Sequence, residues 1–258
     1  MATDYKELAR QARIKILEMI HRGQTSHIAS NFSVVDVATV LYENLKPEDE
    51  VVWSKAWAAA AIYYFLAKQG KIPEEDLDKF PNPPYIGLAE TGIQGVWVSG
   101  GSMGHGLPIA VGMALAKKRA GEEGKIYCIM SDGEMNEGTT WESAALAAHH
   151  KLDNLHVIID KNGWQAMGRT ADVIKYKSIS KIWHRFKWHA RVCEGHNYEN
   201  IEEQLLRSPL FTLDSYKPQV LVAKTIKGRG VSFFENHLLY HYKHVDGDEY
   251  KKALAELA

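Results

Sequence analysis

Two short segments of this sequence carry groups suited to holding a metal-bound phosphate. The first is Ser131-Asp132-Gly133, running on to Glu137-Gly138, and the second is Asp160-Lys161-Asn162-Gly163. An Asp132 carboxylate, an Asn162 amide oxygen and a nearby backbone carbonyl make three hard oxygen ligands. Mg²⁺ takes such ligands in octahedral order, with phosphate oxygens and water completing the shell. Gly133 would let the backbone approach a phosphate closely. A diphosphate could also rest on the N-terminus of a helix opening near Thr139. Taken singly, Asp-Gly and Asn-Gly read as tight turns. The pair says more, because each segment follows a run that reads as a buried strand.

Those runs are Ile126–Met130 and Leu155–Ile159, short and apolar with β-branched members, as in a parallel sheet covered on both faces. Thr139–His149 reads as the helix that returns the chain between them, so Asp132 and Asn162 would lie side by side at one sheet edge. Ligands of parallel α/β sheets bind beyond the carboxyl ends of the strands. Trp188–Cys193 and Val220–Ala223 read as further strands. Helices are expected over residues 4–22, over Val34–Tyr42 with a capping box from Ser33 to Asp36, and over 56–69, 107–118 and 198–206. The stretch 81–106, with three prolines and seven glycines, reads as loop. The expected fold class is α/β, a parallel sheet with helices on both faces, forming one domain over residues 1–258.

Composition narrows the function classes. The 258 residues include 31 Lys and Arg against 32 Asp and Glu, a formal charge of −1. No strong field calls for nucleic acid or an anionic membrane. The run Ala56–Ala67 is too short to span a bilayer, and the N-terminus lacks the order of a signal peptide. Cys128 and Cys193 show no zinc-finger spacing, and a cytoplasmic location is expected. The segment Gly101–Gly106 is not GxGxxG and follows no strand of convincing length, which disfavours a dinucleotide loop.

Together these motifs resemble the thiamine-diphosphate enzymes, whose pattern is Gly-Asp-Gly, about thirty residues, then Asn; here serine stands for the first glycine. More closely, the chain resembles the N-terminal segment of the transketolase family. Gly101-Ser102-Met103-Gly104-His105-Gly106-Leu107 is similar to its glycine loop, and Asp132 to Gly138 followed by Trp141-Glu142 to its metal segment. Ser26-His27 is similar to the start of its Gly-His-Pro loop. Lys227-Gly228-Arg229-Gly230-Val231, followed by Tyr240-His241, is similar to its Lys-Gly-Lys-Gly-Val and later Trp-His. The resemblance implies thiamine diphosphate and Mg²⁺ (or Ca²⁺ or Mn²⁺) as cofactors. Asp132, Asn162 and the Trp164 carbonyl would bind the metal. Ser102, Met103, Gly104, Ser131, Gly133 and Glu134 would lie against the cofactor. His27 and His241 would exchange protons with the sugar near neutral pH. His105 would serve polar positioning, and Glu137 an acidic network between two cofactor sites. His149, His150, His156, His184, His189, His196 and His244 match no motif.

Two positions depart from the family. Its Ser-Lys-Gly-His-Ala is Ser54-Lys55-Ala56-Trp57-Ala58 here, and a second histidine is replaced in the run Tyr85-Ile86-Gly87-Leu88. Neither Trp57 nor Leu88 can accept or exchange a proton, which points to an altered substrate. In the family, a glutamate on a second α/β domain contacts the aminopyrimidine, and this chain shows no second copy of the sheet. The resemblance therefore implies a separately encoded, transketolase-like C-terminal subunit supplying the pyrimidine-binding domain, in an α2β2 assembly. That assembly would move a two-carbon ketol unit between sugars or sugar phosphates. The alternatives are the alpha subunit of a 2-oxo-acid dehydrogenase and a non-catalytic cofactor-binding subunit.

Overall fold

The computed structural model describes residues 3–207 and 216–258. Five strands form one parallel sheet: β1 (Glu50–Trp53), β2 (Ile126–Ser131), β3 (Leu155–Lys161), β6 (His189–Glu194) and β7 (Gln219–Lys224), in spatial order β1-β2-β3-β7-β6. A two-residue pair, β4 (Trp164–Gln165) and β5 (Gly168–Arg169), makes a small antiparallel hairpin beyond β3. The strand residues alternate between two cores, as period-two side-chain placement requires. Ile126, Cys128, Met130, Val157 and Val222 face one, and Tyr127, Ile129, Ile158 and Leu221 the other. α4 (Gly106–Ala120), α5 (Gly138–His149) and α7 (Ile179–Arg185) cover the first face. α1 (Tyr5–Gly23), α2 (Ile28–Tyr42), α3 (Ala59–Lys68), α8 (Tyr198–Glu202) and α9 (Gly247–Leu257) lie on the second. A short α6 (Thr170–Val173) follows the hairpin. The expected α/β class with helices on both faces is what the chain adopts.

Two local expectations need correction. The Ser33-to-Asp36 capping box does not exist, because α2 already starts at Ile28 and runs through both residues. This helix is buried almost all round, so its polar residues take distant partners. Ser33 Oγ donates to Asp160 on β3 at 2.6 Å, and Asp36 pairs with Arg13 of α1 at 2.7 Å. Sequence periodicity also misses β1. Four residues flanked by charged ones are too few for a pattern to register, yet β1 leads directly into the site.

Candidate functional site

The carboxyl ends of β1, β2, β3 and β7 converge on one cleft. Parallel pairing aligns Ser131 with Asp160 and Asp160 with Ala223, so the segments that follow leave the sheet together. The cleft holds about 470 Å³ and is lined by His27, Trp57, Met103, Gly133, Asn162 and His241, among others.

Asp132 opens the short 3-10 turn Asp132–Asn136 after β2. One carboxylate oxygen accepts the Gly163 N–H at 2.9 Å and the Thr170 hydroxyl at 3.1 Å. The other, Oδ1, is buried without a partner among the described residues. A buried, unpaired carboxylate oxygen is costly, and it marks where a cation belongs. Burial, with Asp160 nearby, pushes the Asp132 carboxyl up to about 6. The Asn162 side chain is pinned through its amide nitrogen to Asp160 at 3.1 Å, and its oxygen accepts the Trp164 N–H at 3.0 Å. That oxygen keeps a second lone pair. The donor set is therefore hard oxygen, as Mg²⁺ or Ca²⁺ requires. Among the described residues no group of three or more His, Cys, Asp or Glu side chains forms a metal cluster, which leaves amide and carbonyl oxygens to complete such a site. Gly133 follows Asp132, and a Cβ there would stand 3.2 Å from Gln165 Cγ and 3.5 Å from Met103 Sδ. Gln165 Nε2 is buried without a partner among the described residues, a spare donor for an anion.

Beneath the cleft lie two buried lysines. Lys55 forms an ion pair with Asp160 and donates to Ser30 O at 2.7 Å. Burial pushes the Asp160 carboxyl up, but Lys55 and the Ser33 and Thr225 hydroxyls outweigh it and hold it below its ordinary range. Lys227, 1% exposed, donates to Ser30 Oγ at 2.8 Å and meets His241 Nδ1 at 3.1 Å. Burial and the Lys55 charge bring Lys227 down to about 7. The rings of His27 and His241 meet edge to face at 4.7 Å. Burial and the charges of Lys227 and Lys55 lower His27 to about 4, and burial with Lys227 lowers His241 to about 3. Both imidazoles are thus neutral at physiological pH, the form that can accept a proton.

The glycine loop is clamped by Glu134 rather than by the ligand-facing contact expected of it. Glu134 is fully buried, and burial raises its carboxyl. One of its oxygens accepts Ser54 Oγ and the Gly104 N–H, the other the Ser131 N–H and hydroxyl. A single carboxylate thus ties the loop to the ends of β1 and β2. Gly106, the first residue of α4, packs so closely that a Cβ would lie 2.3 Å from Ser54 Cβ. The Gly106→Val variant is expected to lose about 1–3 kcal/mol by overpacking and to break the Ser54–Glu134 bond. Chemical denaturation checks this, and an unchanged midpoint would refute it.

Ser102 and Met103 are exposed at the cleft rim, and Gly104 is buried behind them. His105 and Glu137 do not reach the cleft lining. They stand at the heads of α4 and α5, with Glu137 packed against Gly104 and His105 in solvent. Sequence reasoning gives no role to Lys55, Asp160, Lys227 or Gln165. The first three lie within or beside the motifs quoted above, so the signal is present; their burial is not. His196, matched to no motif, is built into the ion-paired cluster around Asp36. Leu88 lies against Gly100 and Gly101.

Comparison with known proteins agrees with this geometry. Residues 5–257 match the family described as transketolase, thiamine diphosphate binding domain. One of the two subunits of the apulose-4-phosphate transketolase of Actinobacillus succinogenes is 35% identical, over 98% of this chain and 96% of its own length. The 6-deoxy-6-sulfo-D-fructose transketolase subunit SqwG of a Clostridium species is 33% identical, over 98% and 96%. The crystal structure of transketolase from Campylobacter jejuni superposes with a TM-score of 0.90 at 27% identity, over all of this chain but 43% of that one. The chain thus spans nearly the full length of the subunit relatives and less than half of a complete transketolase. It belongs to the transketolase family and constitutes its thiamine-diphosphate-binding part.

Proposed function

We propose that this chain is the diphosphate- and metal-holding subunit of a two-polypeptide transketolase. Paired with a separately encoded subunit carrying the pyrimidine-binding domain, in an α2β2 assembly, it transfers a two-carbon ketol unit from an anionic ketose to an aldehyde acceptor. The observation that carries this reading is the unpartnered buried oxygen of Asp132 beside Asn162, opening on the cleft where His27 and His241 meet. Asp132, Asn162 and the Trp164 carbonyl hold Mg²⁺, or Ca²⁺ or Mn²⁺. Gly133, Gln165 and the buried Lys227 favour the diphosphate, and Ser102, Met103 and Gly104 border the organic rings. When bound, thiamine diphosphate supplies the carbanion chemistry that the side chains lack. The chain positions the cofactor and moves protons. Lys227 donates to His241 Nδ1, so His241 Nε2 carries a hydrogen toward the sugar oxygen. The cleft-lining carboxylate of Glu134 is fully engaged, which supports the carboxylate facing the aminopyrimidine coming from the partner. His105 and Glu137, on the outer side of the glycine loop, face the neighbouring subunit. The names of the relatives point to branched or sulfonated ketoses and their phosphates as donors. Among the described residues no helix is long and apolar enough to cross a membrane, and a cytoplasmic, single-domain subunit fits the two buried free cysteines and the one sheet.

The test is co-expression of both polypeptides, followed by assay with thiamine diphosphate and Mg²⁺. Donors are xylulose 5-phosphate, fructose 6-phosphate, apulose 4-phosphate and 6-deoxy-6-sulfofructose. Ketol transfer is expected only with both subunits, and chelation abolishes it. His241→Ala is expected to lower kcat by roughly 10²–10⁴-fold while cofactor binding persists. Oxidative decarboxylation onto lipoamide, or cofactor binding without any turnover, overturns the reading.

A further inference from the structure

Trp57 occupies a position where the family carries a histidine, and its geometry gives it a definite task. His27 stands at the head of α2 with a left-handed backbone, φ 71° and ψ 20°, and makes no side-chain cap there. A non-glycine residue in that region is strained, a state found at functional sites. Three neighbours hold its ring. Ser26 Oγ lies 2.6 Å from Nδ1, His241 meets it edge-on, and the Trp57 indole stacks face to face at 4.6 Å and 15°. The indole is itself anchored across the cleft mouth, because Nε1 donates to Gly101 O at 3.2 Å. Its single N–H is thereby spent, and the ring offers no acceptor. Trp57 remains 40% exposed at the cleft wall.

We propose that Trp57 is a positioning and specificity-determining residue. Wedged between His27 and Gly101, it fixes the plane of the His27 imidazole and turns one wall of the donor site apolar. Pinning the ring's face and its Nδ1 leaves Nε2 as the nitrogen directed at substrate. The wall gives van der Waals contact and no hydrogen bond, so it favours ketoses that meet it with carbon or C–H rather than a hydroxyl. A site unable to satisfy a polar group discriminates against the substrate that presents one. Leu88, against the same glycine loop, extends the apolar character. The selectivity limb rests on the ketol-transfer reading; the orientation of His27 is a property of this chain alone.

Two measurements test the limbs separately. The first follows the His27 Cε1–H resonance with pH in the full chain without cofactor, assigned by loss in His27→Gln. The charged and titratable groups facing His27 are Lys55, Lys227 and His241, and all stay in place. Removing the indole admits water, so Trp57→Ala and Trp57→Leu are expected to raise the His27 pKa by about one unit or more. Trp57→Phe keeps the stack and is expected to leave it within about half a unit. Unchanged titration in both Ala and Leu variants overturns the positioning role. The second measurement uses the assembled enzyme. Trp57→Ala is expected to lower kcat more than about tenfold, with Trp57→Phe rescuing it. Trp57→His is expected to shift the ratio of kcat/KM toward xylulose 5-phosphate over the preferred donor by about tenfold or more. An unchanged ratio overturns the selectivity role. If the unaltered enzyme transfers no ketol unit, the functional reading fails while the titration still decides the positioning of His27.

Discussion

Replacing Asp132 by asparagine is expected to abolish metal-dependent thiamine diphosphate binding and, at the same time, to stabilise the ligand-free chain. Both follow from one buried carboxylate. Oδ2 is satisfied by Gly163 and Thr170, whereas Oδ1 has no partner among the described residues. Burial raises its pKa from 3.8 to about 6. A group whose folded pKa lies above its unfolded value stabilises most at low pH and loses that contribution as pH rises through the folded value. For Asp132 the loss falls between about pH 4 and pH 6, so at pH 7.5 the empty site is a liability. At 1.36 kcal/mol per unit the upper bound is on the order of 3 kcal/mol. The unmet amide N–H of asparagine trims the gain to about 1–2 kcal/mol, or a few degrees in Tm at roughly 2–4 °C per kcal/mol. Thermal unfolding at pH 7.5, with and without Mg²⁺ and thiamine diphosphate, checks both halves. The wild-type chain rises in Tm with ligand and the variant does not. A variant that still responds to cofactor with undiminished affinity would remove Asp132 from the site.

The opposite sign is expected at Asp36, the other strongly partnered aspartate. Burial pushes this carboxyl up, but Arg13 and His196 outweigh it and hold it well below the usual carboxylate range. Arg13 bonds both oxygens at 2.9 and 2.7 Å, His196 Nδ1 lies at 2.6 Å and Tyr198 OH at 2.7 Å. The Ile226 N–H donates to His196 Nε2 at 2.7 Å, so Nδ1 carries the hydrogen and donates to Asp36. This cluster joins α1, α2 and the start of α8 to the loop that carries Lys227. Asp36→Ala strands the Arg13 charge, 6% exposed, and removing one partner of such a pair costs about 3–5 kcal/mol. Because the folded pKa is depressed, this stability is present above about pH 4 and is lost as pH falls below it. Urea unfolding of wild type and Asp36→Ala at pH 7.5 and pH 4 measures both. A midpoint unchanged at pH 7.5 would show that the cluster contributes no net stability.

The difference between the two aspartates is not legible in the sequence. Asp36 reads there as a helix-capping residue because Ser33 precedes it by three, a local pattern. Helix α2 overrides that pattern because nearly every residue in it is buried, and α1 and β3 supply the partners that its polar groups need. Asp132 is legible as a ligand because its neighbour is glycine and it follows a run of buried-strand character. Its unpaired oxygen is not.

By itself, the sequence determined the strands that bracket the site, the parallel α/β class and the Asp132–Asn162 pair. These depend on local periodicity and on residue chemistry at strand ends, which a short window carries. It also exposed the two positions that depart from the family, Trp57 and Leu88, although as losses of polar contact. Only the tertiary structure decided what stands in their place. His27, Trp57 and His241 come from three distant segments and meet because β1 and the loops after α1 and β7 end at one edge of the sheet. Stacking, burial and the lowered pKa values of the two histidines are properties of that meeting. No residue's identity implies them, because desolvation and ring contact depend on which side chains the fold brings within a few ångströms.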